Sequence, residues 1–200
     1  MRKILFVLLL IPTLILSACY SSNEASINDL PVTKLTGSFS IDVNDLTQIV
    51  GDADYVFVAE VTDEVETLYK HPVTIETENG PKEVSDPYTK YAIQVVDNIK
   101  GKLKNNKKFD ILKAGGISQD KESIVLYEND ELLQVGKYYI LAAYAQPDGS
   151  LLVSGPNSSS ALTEMGKSKI VSSKEYKEYK EAFKNEMKSE RKRFKSSHEM

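Results

Sequence analysis

From residue 55 to residue 154 the chain is a succession of short β-branched and aromatic runs, each stopped by turn formers after about ten positions. That rhythm restricts the fold to a β-sandwich or a small barrel. The first run is Tyr55-Val56-Phe57-Val58-Ala59-Glu60-Val61, entered through the turn Asp52-Ala53-Asp54, and it reads as a well-buried strand. A second strand is expected over 66–77, closed by Glu78-Asn79-Gly80-Pro81. Over 88–99, Tyr91, Ile93 and Val95 alternate against Thr89, Gln94 and Asp97. Phe109-Asp110-Ile111-Leu112 follows, stopped by Gly115-Gly116, and a short apolar run covers 123–127. Residues 137–146 and 151–154 read as a hairpin reversed at Pro147-Asp148-Gly149. No internal repeat is apparent.

Helical periodicity occurs only at the flanks. Over 42–51, Val43, Leu46, Ile49 and Val50 fall at helical spacing, with Asp42 or Asn44 as caps and Gly51 as terminator. Over 172–194, Tyr176, Tyr179, Phe183, Met187 and Phe194 form one stripe behind a Ser172/Glu175 capping box. The expected fold is therefore mainly β: an OB-like small antiparallel barrel with a short N-terminal helix and a C-terminal amphipathic helix.

The N-terminus speaks to compartment. Arg2 and Lys3 precede thirteen largely apolar residues, 4–16, the length of an export-signal core and too short to span a bilayer. Leu16-Ser17-Ala18-Cys19 then looks like a lipobox, with cleavage between Ala18 and Cys19 and a diacylglyceryl group on the Cys19 sulfur. Two acyl chains make a stable anchor where one does not. The expectation is a palmitate-type lipid anchor on the extracytoplasmic face of the cell membrane. Four segments follow: a signal peptide over 1–18, a lipidated N-terminus and flexible tether over 19–40, a barrel over 41–166 and a basic helix over 167–200.

Ala53-Asp54-Tyr55-Val56-Phe57-Val58-Ala59-Glu60-Val61 is followed in order by three further stretches. These are Tyr91-Ala92-Ile93-Gln94-Val95-Val96-Asp97-Asn98-Ile99-Lys100-Gly101, then Gly115-Gly116, then Val135-Gly136-Lys137-Tyr138-Tyr139-Ile140-Leu141. The series resembles bacterial proteins of the tissue-inhibitor-of-metalloproteinase-like (netrin-like) class. The resemblance covers roughly 42–154 and implies an OB-type five-stranded barrel. Zinc-chelating inhibition does not carry over, because Cys19 is the only cysteine and its sulfur is expected to be lipidated and tethered away from the domain.

Composition narrows the chemistry. One cysteine and two histidines, His71 and His198, exclude a disulfide framework, a multi-thiolate metal site and a centre built on several imidazoles. Ser118-Gln119-Asp120-Lys121 matches the S-x-x-K of penicillin-interacting enzymes, but the partner motifs are absent and Ser189–Lys192 matches equally well. A Ser-His-Asp triad would have to use His71 or His198 without a nucleophile elbow. Glu60, Asp63, Glu64 and Glu66, and Glu128, Asp130 and Glu131, lack calcium-loop spacing and read as solvated turns and edge charges.

No catalytic residue, cofactor or metal is therefore assigned. From Lys167 onward eleven Lys or Arg face six Glu, a net of +5, leaving −11 on residues 19–166. An acidic barrel outside the cytoplasm argues against nucleic acid as a partner. The basic tail either packs its stripe on the barrel or grips anionic lipid, wall polymer or a partner. The functional expectation is a non-enzymatic, membrane-anchored binding module that presents segments such as 67–90 or 113–123 to an envelope protein or wall polymer. A small envelope enzyme or enzyme accessory with an unrecognised site is the alternative.

Overall fold

The structure, a computed structural model, describes residues 30–105 and 107–200. Ala18, Cys19 and the export signal lie outside those residues, as does the first part of the expected tether.

The chain is mainly β, and five strands close into an OB-like ring. β2 (Tyr55–Thr77) and β3 (Gly80–Lys100) pair antiparallel along their whole length, and β3 pairs antiparallel with β4 (Lys108–Ala114). β7 (Tyr138–Ala145) pairs antiparallel with both β2 and β8 (Leu151–Val153). A short parallel contact, Leu112 with Leu152 and Lys113 with Val153, joins β4 to β8 and completes the ring. β9 (Ser159–Leu162) adds a strand beside β7.

β2 is one strand of 23 residues where two are read from the sequence. The polar stretch Thr62-Asp63-Glu64 does not end it, because β3 continues to supply main-chain partners there. Irregularities at Val61/Asp63 and Glu64/Glu66 take up the twist of so long a pair. Beyond the ring the β2–β3 hairpin continues as a two-stranded arm to its turn at Glu78-Asn79, so 67–90 is an arm and not a loop.

The expected tether is corrected at its C-terminal end. Val32–Leu35 forms β1, which pairs parallel with β6 (Ile124–Tyr127), and β6 pairs antiparallel with β5 (Gly116–Ile117). This small second sheet accounts for 123–127, which lies outside the ring.

The core has two layers. Phe57, Ala59, Val61, Tyr91, Ile93, Val95 and Ile111 fill the ring. Val56, Val58, Ile140 and Ala142 face outward, where the N-terminal and C-terminal helices cover them. The apolar character of β2 on both faces follows from this arrangement.

α1 spans Leu46–Asp52, and its cap is Asp45 rather than Asp42 or Asn44. The Asp45 carboxylate accepts from the Thr47 amide at 2.8 Å, while Asp42 accepts from the Asn44 amide and shapes the preceding turn. After a short α2 (Lys167–Ile170), α3 spans Lys174–Lys184 with Ser173, not Ser172, as its cap. Tyr176, Tyr179 and Ala182 are buried against the outer layer.

The expected helix over 172–194 therefore ends about ten residues early. Main-chain bonding explains the stop: Met187 N donates to Thr47 O, Ser197 N to Gly149 O and Met200 N to Lys102 O. Residues 186–200 form a non-helical strap bonded to the barrel. Met187, at helical spacing, is half exposed, and Phe194 reaches the inner core from the strap.

Asp97 ties α3 and α2 to the barrel by accepting from the Tyr176 hydroxyl and from Lys167, the latter at 2.9 Å. Burial alone would push its carboxyl up, but these bonds outweigh burial and hold it below the usual carboxylate range. A depressed folded-state pKa contributes stability that is present above the unfolded value, about 3.9, and lost as pH falls through the folded one. Asp97→Asn should therefore melt below the parent at pH 7, with the gap narrowing below about pH 4. A gap independent of pH in thermal melts would refute the assignment.

Candidate functional site

β4 alternates as far as Lys113: Phe109, Ile111 and Lys113 turn inward, so a lysine occupies the third inward position. Lys113 and Asp130 form an ion pair with side chains 0% and 1% exposed. Burial pulls the Lys113 ammonium below its usual range and the Asp130 charge opposes the pull.

That pair pins the segment that follows it. Asp130 accepts from the Glu131 amide through its carboxylate, and its carbonyl accepts from Lys34 of β1. Further along, the Gln134 amide donates to the Tyr139 hydroxyl at 3.1 Å and the Gly136 amide to Val61 O at 2.8 Å. Residues 131–135 are thus held as a wall at the mouth of the ring.

Between this wall, β1, β6 and the middle of β2 lies an open cleft of about 470 Å³. Barrel mouths are recurrent ligand sites, and the volume falls in the range of small-molecule pockets. Val32, Ile124, Leu126, Leu132, Leu133 and Val135 supply its apolar lining, and Glu64, Glu131 and Gln134 its polar groups. Glu64 is exposed overall, yet partial burial of its carboxyl, with Asp63 beside it, raises it above its usual range.

Tyr91 is the cross-strand neighbour of Glu64 and is fully buried. Its hydroxyl has no hydrogen-bond partner, and burial, followed by the Glu64 charge, pushes it up. The adjacent Thr89 hydroxyl is already committed to Gly115 O at 2.8 Å. Thr89, read as an outward polar position, is in fact buried on the inner face.

The two segments singled out from the sequence, 67–90 and 113–123, do meet. A second cleft of about 360 Å³ is lined by Lys82, Val84 and Ser85 of the arm and by Ser118, Gln119 and Asp120. Lys82 pairs with Asp120 across it at 2.9 Å. Hydrogen bonds from Ser118 and Lys82 hold the Asp120 carboxyl down at about 2. The Lys82–Asp120 pair spans this cleft and leaves Glu83 as the other charged residue of its lining, whereas the charged residues of the mouth cleft are both acidic.

The remaining motifs go to structure. The Ser118 hydroxyl donates to Asp120 and accepts from the Ser123 amide, while Lys121 closes the same turn through its amide. Ser189 donates to Asp52, and Lys192 lies over the Phe194 ring. His71 pairs with Asp86 on the exposed arm, and His198 stacks on Phe109 at 4.1 Å. Among the described residues no three carboxylate or imidazole groups converge as a metal set. Glu60 accepts from Tyr138 and Glu66 from Lys90 instead.

The mouth cleft escapes sequence reading because its lining comes from residues 32, 64, 124, 126 and 131–135. One signal for it was present: period two from Phe109 through Ile111 puts Lys113 inside, where a lysine needs a partner. Compared with known proteins, the chain matches no family model and no curated sequence.

Proposed function

We propose that this chain is a lipoprotein, held by lipid on Cys19 at the extracytoplasmic face of the cell membrane, whose barrel binds an envelope ligand without chemically transforming it. The carrying observation is the mouth cleft, with six apolar side chains and three polar ones set on a wall fixed by a buried ion pair. Thirteen peptide units from Cys19 to Val32 reach at most about 45 Å, so the cleft works close to the membrane. A second reading, an envelope enzyme, draws on the raised Glu64 carboxyl, which is the property of a general acid.

Labelled fatty acid should enter the parent protein and not Cys19→Ser. In-cell crosslinking should capture a ligand or partner with the parent and lose it with Val135→Arg. Val135 is 54% exposed, so that change should leave the melting temperature unaltered. Equal capture by both would move binding away from the cleft. Turnover of an envelope substrate, abolished by Glu64→Gln, would replace the binding reading with the enzymatic one.

A further inference from the structure

We infer that the mouth cleft takes a small amphiphilic cation, an ammonium group on an apolar stem. This inference rests on the cleft being the binding site and adds the chemistry of what fills it. Glu64 and Glu131 are the only charged residues in the lining, so the site carries two negative charges and no positive one. Glu66 is paired with Lys90, Asp120 with Lys82 and Asp130 with Lys113, while Asp63, beside Glu64, adds to the negative charge. Among the described residues, neither Glu64 nor Glu131 has an ion-pair partner.

Val32 and Val135 are about half exposed in the same lining, and Leu126 and Leu133 are buried behind them. An apolar stem lying on that surface leaves its cationic end beside the carboxylates. An anionic ligand of the same shape would meet two like charges, which disfavours it.

The Tyr91 hydroxyl gives the site a second, independent feature. It is a fully buried hydroxyl with no hydrogen-bond partner, on the residue paired across the strands with Glu64. When a ligand covers Glu64, further loss of water favours the neutral acid, and a hydroxyl that turns to donate to the carboxylate opposes that change. Tyr91 is thus a positioning residue that keeps Glu64 charged under the ligand. It also accounts for an orphaned hydroxyl that otherwise has no role in the fold.

The volume favours a small molecule over a bare lysine side chain, because the cleft exceeds what one such chain fills. The test is titration of the intact barrel with hexylammonium, hexanol and hexanoate, followed through the amide signals of Leu132, Leu133 and Val135. Hexylammonium should bind at least tenfold more tightly than hexanoate and weaken as salt is raised. Glu64→Gln and Glu131→Gln should each reduce its affinity several-fold, and together bring it to the level of hexanol. Tyr91→Phe should weaken hexylammonium and not hexanol, without lowering the melting temperature.

Equal binding of all three probes would overturn the charge inference while leaving the cleft as a binding site. Failure of every probe to move those signals would overturn the cleft itself. A short capped Leu-Lys-Leu peptide binding tenfold more tightly than hexylammonium would overturn the small-molecule assignment in favour of a polypeptide.

Discussion

Replacing Lys113 by methionine is expected to lower unfolding stability by about 3–5 kcal/mol, because it leaves the Asp130 carboxylate inside the protein with no counter-charge. The ammonium is 0% exposed and sits in the inward row of β4 behind Ile111, so water cannot replace it. Asp130→Ala should cost a similar amount for the converse reason. The double variant Lys113→Met with Asp130→Leu should recover most of the loss, since both desolvated charges disappear together. Urea unfolding of the four proteins measures this. A single-variant loss under about 1 kcal/mol would mean that the pair is hydrated in solution, where an exposed ion pair has that value. Added salt should change the parent's stability little on account of this pair, because burial shields it from screening.

The same variant reads out the link between the ion pair and the cleft. Asp130 immediately precedes the wall, and its carboxylate holds the Glu131 amide. Hydrogen exchange in Lys113→Met should therefore rise at residues 131–135 by more than the global loss of stability accounts for. Strand β7, anchored on both sides by β2 and β9, should show only the global effect.

The barrel was legible where local and global signals agree. The run from Tyr55 to Val61 is apolar at every position but Glu60, and it is buried between the ring interior and the outer helices. The β7–β8 turn at Pro147-Asp148-Gly149 is braced by the Asp148 carboxylate, which accepts from the Ser150 amide at 2.9 Å. Its residues announce that geometry. The stripe of α3 was legible as far as Phe183 and misleading afterwards. Periodicity registers side chains, whereas the end of α3 is decided by main-chain bonds to residues 47, 102 and 149. The fate of Val32–Leu35 was hidden for a related reason. A four-residue exposed strand has no burial pattern of its own and exists because β6 offers it an edge. The candidate site, assembled from such pieces, inherits their obscurity.

The strap supplies the second large effect. Gly51 lies in the last turn of α1, where a Cβ would fall 2.0 Å from the carbonyl oxygen of Met187 and 2.4 Å from its carbonyl carbon. Both are main-chain atoms, so no rotamer change relieves the clash, and either α1 or the strap must move. Around this contact Lys100 pairs with Glu186 at 2.7 Å, and Arg191 and Arg193 reach Asp54 at 2.7 and 3.1 Å. The same guanidinium groups donate to the carbonyls of Gly51, Asp52 and Ala53, the unsatisfied end of α1. Charge-assisted bonds of this kind contribute about 1.5–3 kcal/mol each, at the lower end here because both arginines are partly exposed.

Gly51→Ala in the full chain should thus cost about 3 kcal/mol, and a chain ending at Asn185 should lose at least as much. In the shortened chain, however, Gly51→Ala should be neutral or stabilise by about 0.5–1 kcal/mol, the ordinary preference of a helix for alanine. The change of sign isolates the contact, since a glycine needed for α1 itself would be costly in both backgrounds. Should the shortened chain fail to fold, Arg191→Ala with Arg193→Ala in the full chain releases the strap in its place. Equal costs of Gly51→Ala with the strap bound and released would show that the strap does not rest on α1 in solution.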